Sequence, residues 1–210
     1  MKNDVADNYG WSSVEAPCSC GYIAPFILKL LNRLDVKRVV DLGAGNGALC
    51  AMLAAQGYEV AGVEYDAKGV EIARSAYRDI HFYNFGVQDD PQALLAAERP
   101  FDAVISTEVI EHLFSPHLLP VYAKQILKDD GYLIISTPYH GYLKNLALSI
   151  VNKWDFHHNP LWHGGHIKFW SRETLTTLLV ENGFSVIGFH GVGRIPYLWK
   201  SMVVVAKKSG

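Results

Sequence analysis

Cysteine is scarce in this chain: Cys18, Cys20 and Cys50 are the three in 210 residues. One C-x-C pair and a distant third thiol build neither a disulfide framework nor a zinc ribbon, so reduced thiols in the cytoplasm are the simplest expectation. Long hydrophobic runs are missing too. No stretch reaches the roughly 18 apolar residues that would span a bilayer, and the polar start carries no charged region followed by an apolar one. Nor is there an excess of one charge, with 19 basic against 21 acidic residues and a formal net charge of −2. That excludes the broad basic field of a nonspecific nucleic-acid binder and makes nucleic acid an unexpected partner, while leaving room for a local basic pocket. Internal repeats and low-complexity linkers are absent. Half of the residues are hydrophobic, enough for one domain over 1–210 that buries most of its apolar surface.

What is present is an alternation of strand and helix patterns, the mark of an α/β layer fold. The periodicity predicts helices over 21–34 (Pro25 in its first turn), 46–56, 68–77, 92–98 and 115–127, and a further helix capped by Ser171 and ended by Gly183. It predicts strands over 38–41, 58–63, 80–84, 101–106, 132–136, 184–190 and 202–207. Ser115 and Pro116 suit a hydroxyl cap with proline at the first helical position, and Asp129-Asp130-Gly131 reads as a turn into the fifth strand.

The run Val39-Val40-Asp41-Leu42-Gly43-Ala44-Gly45-Asn46-Gly47 drives a buried strand into an acid and then a glycine turn. Glycines there permit a tight turn and close backbone approach to a ligand, and the helix that follows aims its N–H groups at the same crevice. A dinucleotide fingerprint would read G-x-G-x-x-G, whereas the spacing here is G-x-G-x-G, which disfavours a nicotinamide enzyme. Glu64 ends the second strand, where an acid can accept two hydrogen bonds from ribose hydroxyls.

From about residue 21 to 207 this arrangement resembles the class I S-adenosylmethionine-dependent methyltransferases. The resemblance implies S-adenosyl-L-methionine as cofactor and a Rossmann-like, seven-stranded, mostly parallel sheet with its last strand antiparallel. It also implies cofactor contacts from Asp41, Gly43, Ala44, Gly45, Gly47, Tyr65 and Thr107, with Glu64 on the ribose. Gly86 stands where the family usually has an acid for the adenine amino group. That contact falls instead to Val87, Gln88 or Asp89, with a solvated turn ahead of Pro91 as the alternative.

After the fourth strand comes Thr107-Glu108-Val109-Ile110-Glu111-His112. If this stretch is helical, Glu108 lies three and four residues from Glu111 and His112, and all three face one point. Two carboxylates and an imidazole suit magnesium, manganese or iron better than a structural zinc. A further ligand must come from another loop, and 155–166 offers His157, His158, His163 and His166. The E-x-x-E-H pattern with a distant histidine resembles the ubiquinone-biosynthesis O-methyltransferases and the small-RNA 3′-terminal 2′-O-methyltransferases. Carried over by position, Glu108, Glu111, His112 and His166 would be the metal ligands, with His163 or His158 as substitutes for the last. A metal-free reading stays beside it, in which His112 is a lone general base, or His140, just after the fifth strand, serves instead.

Residues 139–170 read as a lid or substrate-recognition insertion. A mostly apolar helix over 143–151 would pack on the core as a lid, pair subunits, or touch a membrane peripherally. Arg194, Tyr197 and Trp199 suit an acidic or flat substrate, or a packed hairpin edge. Trp11 and Tyr22, in and just after an N-terminal arm over 1–20, are placed to cap cofactor or substrate. The expected activity is O-methylation of a small-molecule acceptor with adjacent oxygens. A metal-free methyltransferase and a noncatalytic S-adenosylmethionine-binding module are the alternatives, and the oligomeric state is not legible.

Overall fold

The computed structural model describes residues 10–162 and 164–209. The start of the expected arm, 1–9, and the alternative ligand His163 lie outside the described residues. Seven strands, β1 (Arg38–Leu42), β2 (Glu59–Val63), β3 (His81–Tyr83), β4 (Phe101–Thr107), β5 (Leu127–Pro138), β6 (Phe184–Val192) and β7 (Ser201–Lys208), form one sheet in the order β3-β2-β1-β4-β5-β7-β6. The pairs β1–β2, β1–β4, β2–β3 and β4–β5 are parallel, and β7 runs antiparallel to both β5 and β6. This is the sheet the sequence predicts.

Successive residues of the central strands point to opposite faces and fill two cores. Val39, Ala103, Ile105, Ile134 and Val203 meet α1 (Cys20–Leu31) and α2 (Ala48–Ala54) on one face. Val40, Val104, Leu133, Ile135 and Val204 meet α4 (Pro91–Leu95), α5 (Leu118–Ile126) and α8 (Arg172–Glu181) on the other. Helix α3 (Ala67–Ala76) packs Val70 and Ala73 against Phe82 and Cys50. Among the described residues helices cover both faces, which points to the strand ends as the place for a cleft, and the order reverses between β1 and β4.

Several boundaries differ from the sequence reading. Helix α1 stops at Leu31, and Pro25 lies inside it, one turn in. Helix α2 starts only at Ala48, because Gly47 takes a left-handed φ of 79° and Asn46 Oδ1 accepts from the Ala48 N–H at 3.3 Å. Ser115 does not cap α5. Its carbonyl and that of Pro116 accept from the N–H groups of Leu118 and Leu119 in a preceding turn, so the helix starts later. Asp129-Asp130-Gly131 is no free turn but an irregularity within β5, with Asp130 at a φ of 60° opposite the register shift at Phe101 and Ala103.

The insertion folds as α6 (Tyr142–Ile150) and α7 (Trp154–His158). Neither helix buries a residue, and Ile150 and Phe156 are 74% and 86% exposed, so α6 does not pack on the core as its apolar run predicts. Among the described residues no helix is long and apolar enough to cross a membrane.

Gly47 is where the glycine turn locks onto the core. A Cβ there would lie 2.7 Å from Phe82 Cζ and 3.0 Å from Ala73 Cβ, at a backbone angle that L side chains rarely adopt. Gly47→Ala should therefore destabilise the protein by about 2 to 4 kcal/mol from overpacking and strain together. Urea unfolding measures the loss, and Phe82→Leu in the same chain should return only the overpacking part.

Candidate active site

A cleft of about 1840 Å³ opens at the carboxyl ends of β1 and β4. One half of it is built on the β1 turn. Asp41 is buried, Cys50 Sγ donates to its Oδ2 at 3.7 Å, and its Oδ1 has no hydrogen-bond partner among the described residues. Burial above all, and then nearby Glu64, push the Asp41 pKa up to about 7. A buried carboxylate oxygen lacking a donor and lining a cleft suits a ligand that brings positive charge, as the ammonium and sulfonium of S-adenosylmethionine do.

Glu64, at the end of β2, is buried and accepts from the Gly45 N–H at 2.7 Å through Oε2 and from the Asp66 N–H at 2.7 Å through Oε1. Each carboxylate oxygen keeps a second lone pair, so ribose hydroxyls can still bind a side chain already fixed by backbone amides. Burial raises its pKa against those two bonds.

Gly43, Ala44, Tyr65, Val87, Gln88 and Thr107 line the cleft. Gly45 and Gly47 do not, since the Trp11 ring lies over Gly45 and Phe82 fills the space at Gly47. Trp11 itself lines the cleft, whereas Tyr22 is in a smaller pocket with its hydroxyl 3.2 Å from Ser201 Oγ. Asp89 is the clearest departure: its carboxylate accepts from the Gly86 N–H at 2.7 Å and closes its own turn, and it is not on the cleft wall. Of the three residues expected at the adenine, Val87 and Gln88 are on the cleft wall.

The chemistry-bearing half follows β4. Glu108 has a φ of 55°, a left-handed turn that swings the chain into the short 3-10 turn Ile110–His112. The stretch is thus not the regular helix that would align Glu108 with Glu111 and His112. Glu108 instead points to the ends of β5 and β7, where Ser136 Oγ donates to its Oε1 at 2.8 Å and Ser201 Oγ to its Oε2 at 3.1 Å.

Glu111 is fully buried. Thr137 Oγ1 donates to its Oε2 at 3.0 Å, while Oε1 has no hydrogen-bond partner among the described residues and lies 4.0 Å from both His112 Nε2 and His166 Nε2. One ligand atom from each of Glu111, His112 and His166 lies within 4.8 Å of the other two. Glu108 stands outside that trio. The Nδ1 of His112 is 2.7 Å from the Gly164 carbonyl, which requires the proton on Nδ1 and leaves Nε2 unprotonated, the form a metal or a base needs.

His166 arrives by the main chain, for the Glu111 carbonyl accepts from the N–H groups of Ile167 and Lys168 at 2.9 and 3.0 Å. His140 is not at this cluster. It lines the smaller pocket, and burial together with Lys144 lowers its pKa to about 3, which unfits it as a base near neutral pH. His158 borders both cavities but is not one of the three. Ser136, Thr137 and Ser201 were missed from sequence. Their signal was hydroxyls at the ends of otherwise apolar strands, where a buried polar side chain needs a partner.

A doubly wound sheet with an acid-glycine cleft at its switch point and a second acid ending β2 is the fold and site of a class I S-adenosylmethionine-dependent methyltransferase. The chain belongs to the methyltransferase domain family Methyltransf_23, which it matches over residues 19–188. It is 29% identical over 203 residues to the ubiquinone biosynthesis O-methyltransferase of Ruegeria sp., covering 88% of this chain and 77% of that one. It is 27% identical over 196 residues to the protein of that name from Cereibacter sphaeroides, covering 87% and 77%. Among solved structures, the magnesium protoporphyrin IX methyltransferase of Synechocystis with bound S-adenosylhomocysteine superposes with a TM-score of 0.67 at 20% identity, covering 89% of this chain and 82% of that one. The protein is an S-adenosylmethionine-dependent methyltransferase.

Glu64→Gln keeps one oxygen for the Gly45 and Asp66 N–H groups and turns a donor toward the other, and it should weaken S-adenosylhomocysteine by about 10- to 100-fold or more, the effect of losing a charged hydrogen-bond acceptor. Titration calorimetry on the folded variant measures it, and unchanged affinity would remove Glu64 from the cofactor site.

Burial raises the carboxyl pKa of both acids, Glu108 to about 7 and Glu111 well above its ordinary value, Glu111 further because Glu108 is near. A folded-state pKa above the unfolded one means stability that is full below the ordinary carboxylate range and is lost as pH rises through the raised value. Metal-free Glu111→Gln cannot ionise there, so its Tm should exceed that of the wild type by about 2 to 5 °C at pH 8 and less at pH 5. Scanning fluorimetry across that range with added chelator decides it.

Proposed function

We propose that the protein moves the methyl group of S-adenosylmethionine to one oxygen of a small molecule that carries two adjacent oxygens, with a divalent cation held by Glu111, His112 and His166. The observation that carries this reading is the buried Glu111 Oε1, without a hydrogen bond among the described residues and facing the Nε2 atoms of two histidines at 4.0 Å each. Ligand atoms about 2.1 Å from one cation lie roughly 3 to 4 Å apart, so small side-chain movements would close this trio on magnesium or manganese. The relatives named O-methyltransferases support oxygen as the acceptor atom.

When bound, such a cation lowers the pKa of a coordinated hydroxyl and so supplies an oxyanion near neutral pH. The protein's own part is placement. Thr137 fixes the outer oxygen of Glu111, the Gly164 carbonyl fixes the His112 ring, and the Glu111 carbonyl fixes the loop that carries His166. Three protein ligands leave part of a six-coordinate shell for two neighbouring substrate oxygens. Glu108, held by Ser136 and Ser201, stands behind the trio as added negative charge rather than as a ligand. Methyl transfer then needs in-line approach to the sulfonium, and such positioning is worth about 7 kcal/mol or more.

A second reading rests on the same His112 geometry. Burial lowers its pKa below the ordinary 6.5, so near pH 7 its Nε2 is a proton acceptor without a metal.

A panel of catechols against matched single-hydroxyl phenols separates the two. Turnover of catechols should fall with chelator, return with magnesium or manganese, and drop about 100-fold or more in Glu111→Ala and His166→Ala while S-adenosylhomocysteine still binds. Full turnover of single-hydroxyl acceptors in strong chelator would sink the metal and leave His112 as the base.

A further inference from the structure

Beside the main cleft lies a second cavity of about 280 Å³ that the proposed reaction does not use. The two share a wall, since Glu108, His158 and His166 border both. An acceptor with its reacting oxygens at His166 therefore has this second cavity, as well as the main cleft, open to its remaining substituent. Three cationic side chains from three separate parts of the chain converge there: Lys144 from α6, Arg194 from the turn after β6, and Lys200 just before β7. Among the described residues none of the three forms an ion pair, and Glu108 is the only carboxylate on the wall. Glu108 is already held by two hydroxyls.

The Lys144 amine is half-buried and donates to the Tyr139 carbonyl at 2.9 Å, while Lys200 Nζ lies 5.0 Å from the centre of the Tyr22 ring. Both amines contact neutral groups directly, and Lys144 also feels the Glu108 carboxylate, whose pull on its pKa is smaller than that of burial and Arg194. Burial first, and then Arg194, lower the Lys144 pKa, and Lys144 in turn depresses His140 and His157. Positive charges that disfavour one another around a concave space are relieved by an anion. Trp199, Pro138 and Tyr22 add flat apolar surface to the same cavity, which suits an anion carried on a ring.

Resting on the acceptor reading above, we infer that this cavity is a specificity subsite: the acceptor bears one compact oxyanion, a carboxylate or a phosphate, read by Lys144, Arg194 and Lys200 while its adjacent oxygens sit at Glu111, His112 and His166. The guanidinium offers the paired N–H groups that match such an oxyanion, and the amines add point charge.

Equilibrium binding to the manganese- and S-adenosylhomocysteine-loaded protein tests this without turnover. Calorimetry compares catechol, 3,4-dihydroxybenzoate, catechol 4-phosphate and the cationic dopamine. One or both anions should bind about tenfold or more tighter than catechol, and dopamine more weakly, with the better anion naming the source of the charge. Arg194 is exposed, so Arg194→Gln leaves the core intact, and with Lys144→Gln it should erase the preference while catechol affinity stays put. Equal affinity for neutral and anionic ligands, or a preference that the double variant keeps, overturns the subsite whatever the turnover assays give. Plain benzoate binding in an Arg194-dependent way, with no catechol methylated under any metal, would keep the subsite and sink the catechol reading instead.

Discussion

The main-chain carbonyl of Glu111 is the joint on which the site depends. It accepts two N–H groups, from Ile167 and Lys168, and the neighbouring His112 ring bonds to the Gly164 carbonyl. Those bonds tie a 3-10 turn after β4 to a loop some 55 residues downstream. Buried backbone groups must be paired somewhere, and pairing them across this gap brings His166 to Glu111 and His112. The cost of ordering the long 139–170 excursion is met once, at its return point. Between its two ends α6 and α7 are left with no buried residue.

Much of the secondary structure and the glycine turn after β1 were legible because they rest on local rules, while the sheet as a whole was what the family resemblance implied. Alternating apolar runs set the strands, and Gly43, Gly45 and Gly47 all take positive φ, as a tight turn between strand and helix requires. Asp41 and Glu64 follow from their positions at the ends of β1 and β2. Local rules misled at Glu108. Spacing alone aligns it with Glu111 and His112, but one left-handed residue turns its side chain toward Ser136 and Ser201. A non-glycine residue at positive φ is uncommon, and no sequence pattern announces it. Asp89 failed for a similar reason, since its carboxylate found a partner three residues back, at Gly86. The convergence of Lys144, Arg194 and Lys200 was out of reach for another reason, because only the packing of β5, β6 and β7 brings their segments together.

Charge explains why the two cavities differ. Asp41 and Glu64 are buried on the wall of the main cleft and Glu111 is buried next to the lining residue His112, each with its carboxyl pKa raised chiefly by loss of water. A wall of desolvated acids is a poor host for an anion and a good one for positive charge, which suits the sulfonium of S-adenosylmethionine. The adjoining pocket has the opposite sign, and the boundary between them runs through Glu108 and His166.

For the acceptor proposed above, that boundary would set the direction in which it lies. A small catechol bound only through two equivalent oxygens can present either one to the methyl group, and nothing in a symmetric pair distinguishes them. A third point of attachment off the metal axis removes the ambiguity, since swapping the two oxygens would swing the anionic substituent out of the cationic pocket and toward buried acid. The penalty is the lost charge-assisted bonds plus repulsion, on the order of 2 to 3 kcal/mol, which corresponds to roughly a 30- to 150-fold preference for one oxygen over the other. Regiochemistry on this site is then a consequence of where the sheet places its charges: acids at the ends of β1, β2 and β4, cations on the segments that follow β5 and β6.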